Sequence, residues 1–461
     1  MNRHADLVRI FTVAFLCFLL IICSGFLTSV FAQALQRIEV PSSLNPVGSG
    51  ARALGMGGAF IAVADDATAA SWNPGGLIQL ETPEVSVVGA YFNRTEDNAF
   101  GTNPEASGEQ SISEKRINYL SAAFPFTLRT HNMIVSVNYQ NLYDFTRKWN
   151  FPLIQTSGNL SLNQNVDYTQ EGSLSALGIA YCVQITPEFS FGLTLNFWDD
   201  GLCPNDHFGN KIHFRNEWEQ NTLQTGSGNY VGNPFIFESK SYAKYSFSGF
   251  NVNLGILWHA NSKVTMGAVL KTAFEADLRH ESTFNSSIHY PGAPGADSSS
   301  SMSSAGDEKL DMPMSYGIGL AYRFSDELTA SIDIYRTEWG DYVLTDSNGN
   351  RTSPISGEYI SDSDIDPTHQ VRMGAEYLFI KQKYVIPLRG GIFYDPAPAE
   401  GSPDDFYGLS LGSGIAYGLF IFDIAYQYRF GKDVSTFIME SLDFSQDVSE
   451  HTVYSSVIIH F

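Results

Sequence analysis

The stretch "LFIFDIAYQYRF", residues 419–430, puts Phe420, Phe422, Ile424, Tyr426, Tyr428 and Phe430 on one parity and Ile421, Asp423, Ala425, Gln427 and Arg429 on the other. A period of two sends successive side chains to opposite faces of a strand. One face here is apolar and aromatic, and the other mixes small, polar and charged residues. The preceding segment follows the same rule, with Tyr407, Leu409, Leu411, Ile415 and Tyr417 alternating against Gly408, Ser410, Gly412 and Gly414. So does Leu177, Ile179, Tyr181, Val183 and Ile185 against Ala176, Gly178, Ala180, Cys182 and Gln184.

A soluble sandwich would also alternate, so three further features decide the fold class. The apolar face ends in tyrosines and phenylalanines while the opposite face is rich in Gly, Ser and Ala, which suits a lipid-facing band with aromatic girdles around a polar lumen. Connections alternate in length: short turns at 186–188, 261–263, 325–327 and 381–383 separate long polar segments near 94–114, 150–170, 200–243, 280–310, 341–366 and 431–449. The chain closes on the strand "HTVYSSVIIHF", with Phe461 on the apolar face. Counting such runs from residue 83 gives about fourteen strands, an even number that lets the sheet close and removes its edges. The expected fold is all-β: a transmembrane antiparallel β-barrel over 83–461, preceded by an N-terminal lumenal hatch (plug) containing short helices.

Arg3 and Arg9 flank a long apolar run from Ile10 to Phe31, and Val30-Phe31-Ala32 offers a small-residue cleavage site before Gln33. Residues 1–32 read as a secretory signal peptide rather than an anchor, because no basic residues follow the run. The formal charge of −22 excludes nucleic acid as a partner, since phosphate binding is driven by Lys and Arg. Beyond the signal only Cys182 and Cys203 remain, near opposite rims of the expected barrel and too far apart to bridge.

Residues 33–82 contain no alternating run. "GSGARALGMGGAF" (48–60) fits G-x-G-x-x-A and is followed by Asp65 and Asp66, which raises a dinucleotide loop. Such a loop needs an apolar strand leading into it, and "VPSSLNPV" with Pro41 and Pro46 cannot be a central strand. The glycines therefore serve sharp turns and close packing. "ADDATAAS" (64–71) predicts a short helix with Asp65 or Asp66 as N-cap, ended by Asn73-Pro74. A compact small-residue segment of this kind fits inside a barrel lumen.

"AFIAVADDATAASWNPGGL" (59–77) resembles the N-terminal hatch of the FadL-type outer-membrane transporters of long-chain fatty acids and aromatic hydrocarbons (the OMPP1/FadL/TodX family). The matching positions are Asp65, Asp66, Asn73, Pro74 and Gly75, with Gly75 standing where the family usually has Ala. "MPMSYGIGLAYRFSDELTASIDIYRTEW" (312–339) and the segments "HQVRMGAEY", "LRGGIFYDPAPAEGSPDDFYGLSLGSGI" and "FDIAYQYRFG" within 369–431 carry the resemblance further. It implies a passive transporter in the outer membrane of a Gram-negative bacterium, with no cofactor and no catalytic residue. Its ligands would be hydrophobic small molecules, fatty acids or hydrocarbons, captured among outer loops. They would leave sideways through a wall gap beside a kink in the third strand. Outer-membrane lipid, lipopolysaccharide and the assembly machinery would be its other partners. The alternative is a plugged barrel that serves a secretion system or surface assembly and binds a protein.

Candidate residues follow. Phe208, Phe214, Trp218, Phe235 and Phe237 could form an external apolar groove or pack their loop against itself. In the third strand Asn141 breaks the outward apolar face and Leu142 points inward, marking the expected kink. Arg372, Arg389 and Arg429 are inward by parity and could meet a carboxylate ligand, but Asp333, Glu376 and Asp423 are inward as well. Asp362, Asp364 and Asp366 have calcium-loop spacing, yet Pro367 and Met373 stand where an EF-hand needs Gly and Glu. No metal site is expected there, nor at His207 and His213.

Overall fold

The computed structural model describes residues 48–199 and 216–461; the expected signal peptide and first part of the hatch, and Cys203, His207, Phe208, His213 and Phe214, lie outside the described residues. One antiparallel sheet closes on itself, the first strand pairing with both the second and the last. Fourteen wall strands make the circuit. The first four are β1 (Glu84–Phe100), β2 (Gly108–Leu128), β3 (His131–Asp144 continued by Arg147–Ser157) and β4 (Leu160–Thr186). Next come β5 (Phe189–Trp198 continued by Glu217–Tyr230), β6 (Asn233–His259), β7 (Val264–Lys271 continued by Phe274–His289) and β8 (Ser298–Met312 continued by Ser315–Arg323). The remaining strands are β9 (Leu328–Thr337), β10 (Thr368–Ile380), β11 (Tyr384–Tyr394), β12 (Phe406–Tyr417), β13 (Phe420–Val434) and β14 (Phe444–His460).

The parity of residues 419–430 is the parity of the wall. Phe420, Phe422 and Ile424 face outward to lipid, while Asp423, Ala425 and Arg429 are buried in the lumen. Short turns join strands on one rim, as expected. On the other rim the structure differs from the reading of long loops. The segments 94–114, 150–170 and 280–310, and most of 217–243, are strands in tall hairpins: β1 pairs β2 from Glu84↔Ala123 up to Asn98↔Gly108, and β7 pairs β8 as far as Ile288↔Ser298. Beyond the hydrocarbon layer neither face needs to be apolar, so these strands lose the hydropathy signal but keep the backbone ladder.

Inside the barrel lie two one-turn helices, α1 (Ala51–Gly55) and α2 (Ala69–Trp72), and a 3-10 helix over Pro74–Gln79. The helix expected over 64–71 is confined to Ala69–Trp72. Asp66 instead closes an Asx turn, accepting bonds from the Thr68 N–H and hydroxyl, which holds the chain out of helix until Thr68.

Candidate functional site

The hatch is fixed to the wall by polar anchors and by close backbone contact. Asn73 is fully buried; its Nδ2 donates to the Ile61 carbonyl (2.9 Å) and to the Ile256 carbonyl of β6 (2.8 Å), and its Oδ1 accepts from Gly75 N (3.0 Å). Asn73 thereby caps the 3-10 helix, and Pro74 takes its first position, where a missing N–H costs nothing. Gly75 lies so close to β6 that a Cβ there would stand 2.9 Å from the Ile256 backbone. Asp65 pairs with Arg52 of α1, and Arg52 grips Glu376 of β10 with Nε (3.0 Å) and Nη2 (2.9 Å). Two backbone N–H groups, of Phe60 and Ile61, donate to Asp333 of β9.

A lattice of buried ion pairs starts at the level of the hatch and continues along the wall. Arg389 binds Glu376 and Asp423 (2.6 Å each). Arg372 binds Asp395 (3.3 Å) and donates to the Gly57 carbonyl of the hatch (3.0 Å). Arg429 reaches Asp395 (3.2 Å) and Glu450 (3.0 Å), and Arg94 links Glu450 to Glu96, which also receives Arg147. The three lumenal arginines singled out in the sequence are thus each engaged by a carboxylate.

The wall itself is interrupted beside this lattice. β2 and β3 are laddered from Leu128↔His131 to Tyr119↔Gln140. Above that point, among the described residues, no ladder joins β2 to β3, although β2 keeps β1 and β3 keeps β4. Two bulges frame the break. The β1–β2 register shifts at Val88/Gly89, so that Asn118 has no partner position, and the β3–β4 register shifts at Asn141/Tyr143, leaving Leu142 extra. Such bulges bend a strand and re-aim its side chains. About ten residues of ladder, at ~3.3 Å each and tilted ~40°, lift the break roughly 25 Å above the short turns, the height of an outer-membrane apolar band. Side chains span it: Arg116 pairs with Asp144 and donates to Asn141 Oδ1 (3.3 Å), Asn118 Nδ2 donates to the Asn141 carbonyl (3.2 Å), and Gln110 Nε2 to the Asn150 carbonyl (2.9 Å). Behind it lies a cavity of about 120 Å³ bounded by hatch and wall.

A family model described as "Outer membrane protein transport protein (OMPP1/FadL/TodX)" matches residues 39–443. The chain belongs to the OMPP1/FadL/TodX family of outer-membrane transport proteins. A Pseudomonas aeruginosa FadL homologue is similar in structure (TM-score 0.56, 14% identity, 90% of this chain and 98% of that one). So are the Pseudomonas putida toluene transporter TodX (TM-score 0.55, 14% identity, 91% and 100%) and the CymD monoaromatic hydrocarbon channel (TM-score 0.51, 15% identity, 90% and 98%). No curated protein matches the sequence. The family consists of transport channels, not enzymes, and places this barrel in the outer membrane with hydrophobic compounds as its cargo.

In this OMPP1/FadL/TodX barrel two apolar clusters meet at the broken strand. Phe145, between the two segments of β3, stacks on Trp218 (4.6 Å between ring centres), Trp218 on Tyr245 (4.8 Å) and Tyr245 on His280 (4.6 Å). Trp339, Tyr342 and Ile355, from the segment after β9, close this cluster. The second contains Trp149, Phe151 and Leu153 of β3 with Phe100, Phe444 and, from the segment after β13, Ile438, Met439 and Leu442. Trp218, Phe235 and Phe237, grouped in the sequence as loop residues, stand on β5 and β6; the ring of Phe235 covers Gly228 and that of Phe237 covers Gly226. Trp218 is in the first cluster, and the Phe235 and Phe237 rings lie 6.3 Å apart on β6. Asn118 was not singled out in the sequence, because a bulge leaves no trace in composition or period.

Proposed function

We propose that the barrel takes hydrophobic compounds into the apolar clusters of its outer half and releases them sideways through the lower edge of the break between β2 and β3, at the outer margin of the apolar band, into outer-membrane lipid, the hatch closing the way straight down. The observation that carries this reading is the unladdered break itself. A wall held together there by side chains alone opens at a far smaller cost than a laddered one. Release into hydrocarbon keeps the cargo's apolar surface out of water, worth about 25 cal/mol per Å², whereas a water-filled pore would expose it. Asn141 and Leu142 belong to the gate in this reading, and Trp218, Phe235 and Phe237 to the capture surface. Long-chain fatty acids and small hydrocarbons share the required apolar character.

The test is uptake of labelled toluene and labelled oleate by cells lacking their own outer-membrane channels for hydrophobic compounds. Expression of this protein is expected to raise the initial rate for at least one of them well above that of vector-only cells. Background rates for both, from a barrel shown to be folded at the surface, would refute the reading and favour the protein-binding alternative.

A further inference from the structure

Resting on the uptake of cargo into the apolar clusters, we propose that the segment Ser435–Asp443 is the door by which cargo enters, and that its Phe437 ring keeps the place between the two clusters that cargo takes. Cargo cannot reach the clusters as they stand, because Phe145, Trp149, Phe151 and Trp218 are all buried. Something that covers them has to move. Among the described residues, two segments between wall strands close the clusters with large side chains. The one after β9 is fastened along its length: Val343–Thr345 pairs with Lys309–Asp311 of β8, Leu344 pairs with Thr352, and Trp339 Nε1 donates to Thr368 Oγ1 (3.0 Å). The one after β13, Ser435–Asp443, has no strand pairing.

This segment, "STFIMESLD", has two faces. Thr436, Glu440, Ser441 and Asp443 are exposed, whereas Ile438, Met439 and Leu442 are buried in the second cluster. Phe437 is half-buried and packs against both clusters. The segment is fastened at its ends: Ser435 N donates to the Asp404 carboxylate (2.7 Å), Gly101 N to the Asp443 carbonyl (2.9 Å) and Thr102 Oγ1 to the Leu442 carbonyl (3.1 Å). Asp433, Ser435 and Asp443 bracket it with φ of +51°, +63° and +51°. Left-handed backbone is unfavourable for residues with a Cβ and collects at switch segments. Such backbone at both ends suits a segment that swings. The Phe437 side chain is a benzyl group, so the place it fills takes one ring. Tethered there, it competes with any cargo that enters.

Two measurements test the door, both in the uptake cells described above and with labelled toluene or oleate, whichever the wild type carries. Phe437→Ala is expected to raise the initial rate several-fold, because cargo no longer has to expel a ring, and Phe437→Trp to lower it below the wild type. A ring that only filled space would not raise the rate on removal. Met439 lies under the segment at 4% exposure. In a Cys203→Ser background, Met439→Cys is expected to react slowly with a membrane-impermeant maleimide and several-fold faster once that cargo is added. Cys203→Ser alone gives the labelling due to the buried Cys182. A Phe437→Ala rate at or below the wild type, in a barrel folded at the surface, would overturn the door and leave transport standing. So would labelling of Met439→Cys that ignores cargo, and this labelling decides if Phe437→Ala does not reach the surface. Vector-only rates for both cargoes in the wild type would remove the transport reading and this inference together.

Discussion

Gly391→Val is expected to unseat the hatch while leaving the barrel closed. Gly391 of β11 lies directly against the hatch, and a Cβ there would stand 2.4 Å from Gly57 N and from the Met56 carbonyl carbon. Those are backbone atoms, so no rotamer change relieves the clash. The neighbouring strands leave no room to slide, because a Cβ on Gly374 would stand 2.1 Å from Met56 O and one on Gly412 2.9 Å from Gly55 Cα. Gly57 adds a positive φ of +69°, so the hatch cannot readily re-form its turn elsewhere. Valine itself suits a strand, and the ladders of β11 to β10 and β12 need no side chain at 391. Ion conductance in planar bilayers is therefore expected to rise from near background to that of an open porin. The outward-facing control Ile392→Val is expected to stay at background. An unchanged conductance in Gly391→Val would show that the hatch is not seated on this glycine patch.

Asp395→Ala is expected to cost the folded barrel about 3–5 kcal/mol, the range for removing one partner of a buried ion pair. Asp395 is 1% exposed and is shared by Arg372 and Arg429, both themselves buried. Arg429 would keep Glu450 and its stacking on Phe406 (3.8 Å to the ring centre), but Arg372 would lose the carboxylate that pairs with it. The measurement is the denaturant midpoint of the purified barrel, followed by its folded mobility in electrophoresis. Adding Arg372→Met removes the stranded charge and is expected to recover a large part of the loss. A midpoint unchanged by Asp395→Ala would mean that the lattice contributes nothing to holding the lumen together.

The barrel was legible in the sequence because lipid on one side and a polar lumen on the other impose opposite chemistries on alternate residues. Asp423 and Arg429 inside, with Phe422 and Ile424 outside, follow from parity alone. Where the wall rises out of the membrane that contrast ends, so the upper halves of β1, β2, β4, β7 and β8 read as loops although β1 there pairs β2, β4 pairs β3 and β7 pairs β8. Aromatic residues such as Trp218 stood out by type, but their stacking partners come from strands far apart in the chain. The wall break shows the same limit. Asn141 is visible as a polar fault in an apolar face, whereas the opposing bulge at Asn118 depends on a register between two strands that no single segment encodes. In the hatch, Asn73-Pro74 announced the end of a helix, yet the wall carbonyl that Asn73 binds belongs to Ile256, 183 residues away.

The central claim, release through the break between β2 and β3, is tested most directly by closing it. Gln110 and Asn150 touch across the break, Gln110 Nε2 donating to the Asn150 carbonyl. In a Cys203→Ser background, Gln110→Cys and Asn150→Cys can be tied with a cleavable bis-maleimide, leaving hatch, lattice and apolar clusters untouched. Uptake of labelled toluene or oleate, whichever the untied barrel carries, is expected to fall to the vector-only rate when the tie is made and to return when it is cleaved. Uptake that continues unchanged through a fully tied barrel would contradict the account, because the cargo would then be leaving by another path.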